Sequence, residues 1–202
     1  MNTSLVIFLH GVGSQGSDLA GLGPLWRERL PGAAFAAPDA PFPFDGGGMG
    51  RQWFSLAGVT PANRPARVVA ARSAFDGVIA PIVEAHGFAD RLDRVALVGF
   101  SQGTIMALDA VACGRWPVGA LLGYSGRLAS PEPLAPSLNT NVALIHGEAD
   151  PVIPFAETQS AAARLTAVGL PAKLAVLRGV IHTISAEGAD LGVSFLAEAL
   201  AG

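Results

Sequence analysis

Residues 94–113 read RVALVGFSQGTIMALDAVAC and pass from a buried strand pattern directly into a helical pattern. At the junction lies the pentapeptide Gly99-Phe100-Ser101-Gln102-Gly103, which has the form Gly-x-Ser-x-Gly. Between a strand and a helix, this form is typical of a tight turn that presents its serine at the apex. We expect both glycines to be required, because a Cβ at either position would collide with neighbouring backbone. The serine would then lie beside a helix N-terminus, whose free N–H groups favour an anion.

The same alternation of short apolar runs and helical patterns continues on both sides of this stretch. Six runs are apolar on both faces, as buried parallel strands are: 5–9, 33–37, 95–100, 118–124, 142–146 and 174–177. Five helices are predicted at 19–30, 67–86, 103–113, 155–168 and 189–201, and Pro81 should kink or divide the second. Repeated strand and helix predict one α/β domain over residues 1–202, with a mostly parallel central sheet flanked by helices.

Composition excludes several classes of protein. Half of the 202 residues are hydrophobic and 14% are charged, which excludes a disordered chain. The formal net charge of −3 gives no reason to expect nucleic acid as a partner. A single cysteine, Cys113, excludes an internal disulfide. The apolar runs are far shorter than the roughly 20 residues that span a bilayer, so we expect a soluble, cytoplasmic protein without integral membrane association.

A serine hydroxyl becomes an effective nucleophile when a base takes its proton and an acid orients that base. In a strand–turn–helix setting of this kind, the order along the chain is serine, acid, histidine. His182 fits the base, since it follows the last predicted strand. Asp150 fits the acid, because Pro151 cannot continue the preceding strand and so places it in a loop at the carboxyl edge of the sheet. Glu148 is the nearest alternative acid.

Attack by the serine creates a negative oxygen that needs two positioned N–H donors. One donor should be the backbone amide of Gln102, directly after the serine. The other should come from the glycine-rich loop after the first strand, where Val12 is the expected donor. For His10, at the end of that strand, a role in supporting the backbone is favoured over a catalytic one.

These residues are recognisable as a set: the chain resembles the carboxylesterase/acyl-protein thioesterase family of α/β-hydrolases. The matching stretches are 8–13 (FLHGVG), Trp53-Phe54, the pentapeptide at 99–103, 146–154 (HGEADPVIP), and Gly179 three residues before His182. The resemblance implies an α/β-hydrolase fold and hydrolysis of carboxylic esters or thioesters without cofactor or metal. It also implies Ser101, Asp150 and His182 as the catalytic residues, with the amides of Val12 and Gln102 as the oxyanion hole. Two departures are Thr104 and Ser55, where family members commonly have a glycine and an acidic residue.

Residues 38–65 form a long predicted loop on the substrate side, rich in proline, glycine and large apolar side chains. We expect five of these side chains to line the acyl pocket: Phe42, Phe44, Met49, Trp53 and Phe54. Packing of the loop onto the core is the alternative, least expected for Trp53. The glycine-rich stretch 46–50 has no evident reason in the sequence. Residues 126–141 are predicted to be a plain surface excursion.

The sequence therefore predicts a serine carboxylesterase acting on small or medium acyl esters, with a small-molecule ester or thioester as its partner. An acyl-protein thioesterase or lysophospholipase would use the same residues. A non-catalytic binder of small molecules that keeps the fold is a third alternative. The oligomeric state is left open, with a homodimer among the alternatives.

Overall fold

A computed structural model describes residues 2–201. It contains a six-stranded sheet in the order β2-β1-β5-β6-β7-β8, and every neighbouring pair of strands is parallel. The strands of this sheet are β1 (Ser4–Leu9), β2 (Ala33–Ala36), β5 (Val95–Phe100), β6 (Ala120–Tyr124), β7 (Asn141–Gly147) and β8 (Ala172–Leu177). A separate hairpin consists of β3 (Phe42–Pro43) and β4 (Arg51–Gln52). The helices are α1 (Ser17–Ala20), α2 (Leu22–Trp26), α3 (Arg64–Ala85), α4 (Gln102–Ala112), α5 (Phe155–Ala167) and α6 (Ala186–Ala199).

The predicted α/β fold with a parallel sheet is confirmed, and all six predicted strands are present to within two residues at each end. Three details of the prediction are wrong. The first helix is two short helices, α1 and α2, on either side of Gly21. Of the two effects predicted for Pro81, a kink or a division, the division is wrong, because α3 is one helix. Strand β8 is not buried on both faces, because it lies at the edge of the sheet and leaves Leu174 and Val176 partly exposed.

Alternate residues of the central strands enter two cores, one on each face of the sheet. In β1, Leu5 and Ile7 face the core covered by α3, α4 and α5, whereas Phe8 faces the core covered by α2 and α6. This alternation follows from the period of two in a strand and explains why these runs are apolar throughout. Among residues 2–201, no helix is both long and apolar enough to cross a membrane.

The segment 38–65 is more ordered than a loop. It contains the β3–β4 hairpin, and its last two residues already belong to α3. Arg51 pairs with the loop after β1, since its amide donates to Ser14 O at 2.8 Å and its carbonyl accepts from Gly13 N at 2.8 Å. Strands of two residues leave no periodicity in a sequence, so pattern analysis cannot detect this hairpin.

The hairpin also explains the glycine-rich stretch. A Cβ on Gly50 would lie 2.4 Å from Gly13 O, so glycine lets the hairpin approach the loop after β1. A Cβ on Gly46 would meet the ring of Phe44 at 2.3 Å. The intervening turn has positive φ angles at Gly47 and Gly48, which glycine adopts without strain.

One buried charge network ties the helices of one face together. Asp109 on α4 is fully buried, and both its oxygens accept from arginines: Arg72 on α3 at 2.8 and 2.9 Å and Arg115 at 2.8 Å. The hydroxyl of Ser130 donates to the same carboxylate at 2.8 Å. Residues 126–141 are thus not a plain surface excursion, because their first half packs inward around Leu128 and Ser130.

Replacing Asp109 by alanine should destabilise the protein by about 3–5 kcal/mol, because the two arginines lose a buried partner. The matched control is Lys173→Gln, which breaks the exposed Lys173–Glu198 pair (70% and 69% exposed side chains) and should cost less than about 1 kcal/mol. Urea unfolding at neutral pH measures both free energies. Equal losses in the two variants would show that the Asp109 network does not hold these helices together.

Candidate active site

Three predicted residues meet at the carboxyl edge of the sheet. Ser101 follows β5, Asp150 follows β7 and His182 follows β8. His182 Nε2 lies 3.0 Å from Ser101 Oγ, and His182 Nδ1 lies 2.6 Å from Asp150 Oδ2. Hydroxyl, imidazole and carboxylate therefore form one hydrogen-bonded chain with the geometry of a serine–histidine–aspartate triad.

The turn that carries Ser101 is as tight as the sequence predicts. A Cβ on Gly103 would lie 1.9 Å from Leu9 O, and a Cβ on Gly99 would lie 2.5 Å from Thr104 N and Cα. Ser101 itself has φ 53° and ψ −115°, a conformation that a residue with a side chain rarely adopts. The steric requirement for both glycines is confirmed, and the strained backbone fixes the serine hydroxyl at the apex.

Thr104, one of the two departures from the family pattern, fits the site. Its hydroxyl donates to Tyr124 O at 2.8 Å, at the carboxyl end of the neighbouring strand β6. Its methyl group takes the space that Gly123 and Gly126 leave, since a Cβ on either would come within 2.6 Å of that methyl. The extra side chain is therefore accommodated beneath the turn and does not displace Ser101.

Asp150 is held by its own loop. Its Oδ1 accepts from the amides of Val152 at 2.8 Å and Ile153 at 2.9 Å, which leaves Oδ2 to face His182. Burial raises the pKa of this carboxyl, but the hydrogen bonds from His182 and the two amides lower it further, and the net pKa is below the usual value. The group is thus a carboxylate at neutral pH. Glu148, the alternative acid, is exposed.

Sequence analysis missed a second histidine at this acid. His146, in β7, is 1% exposed, and its Nε2 lies 3.2 Å from Asp150 Oδ2 and 2.8 Å from Ile153 O. Its Nδ1 lies 2.5 Å from Thr158 Oγ1 on α5. His146 therefore connects the acid loop to the core. Its position four residues before Asp150 is visible in the sequence, but its contacts arise only from the way the loop folds back.

The amides expected to form the oxyanion hole are free to act as donors. Val12 lies in the loop after β1, and Gln102 is the first residue of α4, where an N–H has no partner within the helix. Within residues 2–201 neither amide donates a hydrogen bond, whereas Ser101 N donates to Tyr124 O at 3.0 Å. Val12 and Gln102 both line the same cavity as Ser101.

His10 supports the loop that carries Val12. Its Nε2 accepts from Ala40 N at 2.9 Å, so its Nδ1 carries the proton and donates to Gly11 O at 2.7 Å. Because a peptide unit is planar and trans, a fixed Gly11 carbonyl turns the Val12 N–H in the opposite direction. The structure agrees with the expected backbone role of His10 and connects that role to the candidate oxyanion hole.

The Gln102 side chain links the turn to the segment 53–54. Its Oε1 accepts from Trp53 N at 2.8 Å, and its Nε2 donates to Phe54 O at 2.8 Å. The indole of Trp53 donates to His10 O at 2.9 Å and packs against Phe75. Trp53 is 1% exposed, so the expectation that it lines the acyl pocket is wrong: it is a core residue that supports the site from beneath.

One depression is lined by Ser101 and another by its hydrogen-bond partner His182. The Ser101 cavity has a volume of about 190 Å³, and its wall includes Val12, Phe54, Arg64, Ser101, Ile105 and Arg127. The His182 cleft has a volume of about 450 Å³, and its wall includes Ser14, Asp18, Leu22, Phe100, His182 and Ile184. Among residues 2–201, no group of three or more His, Cys, Asp or Glu side chains is arranged to hold a metal ion.

Of the apolar side chains expected at the acyl pocket, Phe54 lines the Ser101 cavity. Three others lie elsewhere. Phe42 is partly exposed in a separate groove along α3. Met49, at the tip of the hairpin, is 82% exposed. The ring of Phe44 covers Gly13 and Gly46 and so packs the hairpin onto the loop after β1.

The buried state of His10 should make stability depend on pH. Burial, the largest cause, lowers the pKa of His10, so the folded state binds a proton less readily than the unfolded state, whose histidines titrate near 6.5. The contribution of His10 should be complete above about pH 6.5 and decrease as the pH falls through that value. In urea unfolding between about pH 5 and pH 8, the difference between wild type and His10→Gln should therefore shrink toward acid pH. A constant difference would contradict this.

Comparisons with known proteins extend over the whole of this architecture. A model of the phospholipase/carboxylesterase family matches residues 1–199. Esterase YpfH of Escherichia coli is 32% identical over 180 residues, which cover 89% of this chain and 76% of that protein. Acyl-protein thioesterase 1 of Saccharomyces cerevisiae is 26% identical over 162 residues, covering 74% and 71% of the two chains.

Solved structures of esterases are also similar to this chain. The crystal structure of esterase PE8 is similar with a TM-score of 0.87 and 35% identity, covering 98% of this chain and 93% of that chain. A carboxylesterase from Bacillus cereus has the same fold, with a TM-score of 0.80 at 14% identity and coverage of 97% and 88%. This chain therefore belongs to the phospholipase/carboxylesterase family of α/β-hydrolases, an esterase family of serine hydrolases.

Proposed function

We propose that this protein is a serine carboxylesterase that hydrolyses small to medium acyl esters through an acyl-enzyme. The observation that carries the proposal is the hydrogen-bonded chain from Ser101 Oγ through His182 to Asp150, with lengths of 3.0 and 2.6 Å. Such a chain activates a serine, because the imidazole can take its proton while the carboxylate stabilises the resulting imidazolium. The lowered pKa of Asp150 keeps that carboxylate charged.

In the first half-reaction, Ser101 Oγ attacks the ester carbonyl and its proton passes to His182 Nε2. The carbonyl oxygen becomes an anion, for which the amides of Val12 and Gln102 are the proposed donors. When the C–O bond to the alcohol breaks, His182 gives its proton to the leaving oxygen. In the second half-reaction, water attacks the acyl-enzyme with His182 as base, and the acid is released. The proposal involves no cofactor or metal.

The two depressions suggest where the parts of the ester bind. His182 must lie next to the leaving alcohol, and it forms part of the His182 cleft. The acyl chain is then directed into the Ser101 cavity, beside Phe54 and Ile105. The Ser101 cavity is small, since its volume of about 190 Å³ is less than half of the roughly 450 Å³ of the His182 cleft. This volume supports the assignment to short and medium acyl groups.

A second candidate activity is hydrolysis of acyl thioesters, including acylated proteins. It is favoured by the similarity to the acyl-protein thioesterases of fungi, at 26–28% identity. The same residues would act, with a thiolate as leaving group. A lysophospholipase of this family would also need room for a long acyl chain. Turnover of matched oxo- and thioesters of one acyl group distinguishes the first two activities.

Replacing Ser101 by alanine should lower kcat on p-nitrophenyl esters by about four orders of magnitude or more, because the nucleophile is lost. The matched control is Ser125→Ala. Ser125 also follows a strand of the same sheet, has a positive φ of 47° and donates its amide to the neighbouring strand, but among residues 2–201 it makes no hydrogen bond with His182. The control variant should retain wild-type kcat, and substantial turnover by Ser101→Ala would refute the assignment.

The dependence of turnover on acyl-chain length independently tests the size of the Ser101 cavity. With wild-type protein, kcat/KM on p-nitrophenyl esters should rise from acetyl to a medium acyl chain of about six carbons and then fall, since the Ser101 cavity is small, at about 190 Å³. A profile that keeps rising to palmitoyl, together with faster turnover of the palmitoyl thioester, would instead support the thioesterase or lysophospholipase.

A further inference from the structure

Two arginines are among the residues that line the Ser101 cavity. Arg127 comes from the segment after β6, and Arg64 is the first residue of α3. The Arg127 side chain is 14% exposed and pairs with Glu157, Nη1 to Oε1 at 3.2 Å. Arg64 is half-buried, and within residues 2–201 its guanidinium makes no ion pair or hydrogen bond. Two arginines therefore line one cavity, and among residues 2–201 only Arg127 has a carboxylate partner, the partly exposed Glu157.

These two charges influence each other. The pKa of Arg127 is lowered, first by burial and further by the charge of Arg64, while Glu157 acts in the opposite direction. Like charges held close together in a partly buried place are unfavourable unless an anion joins them. Guanidinium groups are suited to binding such an anion, because each can donate two parallel hydrogen bonds to one carboxylate.

The other side of the site has the opposite charge. The His182 cleft contains Asp18, whose pKa is lowered by hydrogen bonds from the Ser14 hydroxyl and the Gln15 amide, so it is ionised at neutral pH. A substrate across Ser101 would thus meet a carboxylate on the alcohol side and two guanidiniums on the acyl side. This arrangement disfavours an anionic alcohol and favours an anionic acyl group.

Building on the proposed function, we propose that the preferred acyl group carries a carboxylate at its far end, bound by Arg64 and Arg127. The substrates would be half-esters of short dicarboxylic acids. A glutaryl group is an example of such an acyl group, because it places three methylenes and then a carboxylate beyond the reacting carbonyl. Phe54 and Ile105 then contact the methylenes, and the arginines bind the terminal oxygens.

The test compares two esters of the same shape. Monoethyl glutarate and ethyl 5-methylhexanoate differ only in a terminal carboxylate against an isopropyl group. Ethyl esters are used because a carboxylate on the acyl chain can attack an aryl ester within the same molecule. Acid release followed in a pH-stat should give a kcat/KM about tenfold or more higher for monoethyl glutarate with wild-type protein.

Arginine variants test which residues cause the preference for an acyl group with a terminal carboxylate. Arg127→Gln and Arg64→Gln should each reduce the ratio of the two kcat/KM values by about tenfold. Arg64→Gln disrupts no ion pair within the described residues, so it gives a result even where Arg127→Gln fails to fold. The matched control is Arg67→Gln, on the same helix: Arg67 lines the separate groove along α3, and its guanidinium donates to Ala57 O. It removes an equal charge and should leave the ratio unchanged.

A second pair of esters tests the direction of binding. In 3-acetoxypropanoate the carboxylate is on the alcohol side, and 3-methylbutyl acetate is its neutral counterpart. Because Asp18 lies in that cleft, the neutral ester should be the better substrate. Equal or faster turnover of ethyl 5-methylhexanoate than of monoethyl glutarate, or a ratio unaffected by both arginine variants, would overturn the inference. If wild-type protein fails to hydrolyse even p-nitrophenyl acetate, the proposed function itself is wrong.

Discussion

The site depends on one close approach, that of helix α4 to the end of strand β1. Gly103 permits it, since any Cβ there would overlap Leu9 O. This contact places the first amide of α4, that of Gln102, beside the loop that carries Val12. Ser101 lies at the start of this helix with φ 53° and ψ −115°, a strained conformation that holds its hydroxyl in a fixed direction. The proposed nucleophile and the proposed oxyanion donors are thus positioned by a single steric constraint.

Strain at a functional residue persists only when its surroundings hold it, and here side chains next to the site provide that support. The Gln102 side chain accepts a hydrogen bond from Trp53 N and donates one to Phe54 O, and the indole of Trp53 donates to His10 O. His10 in turn orients the Gly11 carbonyl. His146 likewise orients the acid loop, because its Nε2 lies within hydrogen-bonding distance of Ile153 O and close to the Asp150 carboxylate. Most of these bonds end on backbone atoms, so they fix the positions of loops that have no regular structure of their own.

The sequence predicts those parts of the molecule that depend on local pattern. Strands buried on both faces and the Gly-x-Ser-x-Gly turn have sterically determined sequences, so the sheet and the meeting of Ser101, Asp150 and His182 could be foreseen. The direction in which a loop side chain points could not be predicted from the sequence. The local sequence around an aromatic residue such as Trp53 is the same whether its side chain faces the substrate or the core. Its hydrogen-bond partner His10 is distant in the sequence. Arg127 was missed because only the fold brings it to Ser101.

The central claim is that Ser101 is a nucleophile activated by His182, and covalent labelling tests it most directly. A fluorophosphonate forms an Oγ–P bond with an activated serine and releases fluoride. Intact-protein mass spectrometry of wild-type protein, followed by peptide mapping, should find one adduct, located on Ser101. The His182→Ala variant, which keeps the serine but lacks the base, should remain unlabelled over the same time. Absence of an adduct in the folded wild-type protein, or an adduct on another residue, would contradict the account.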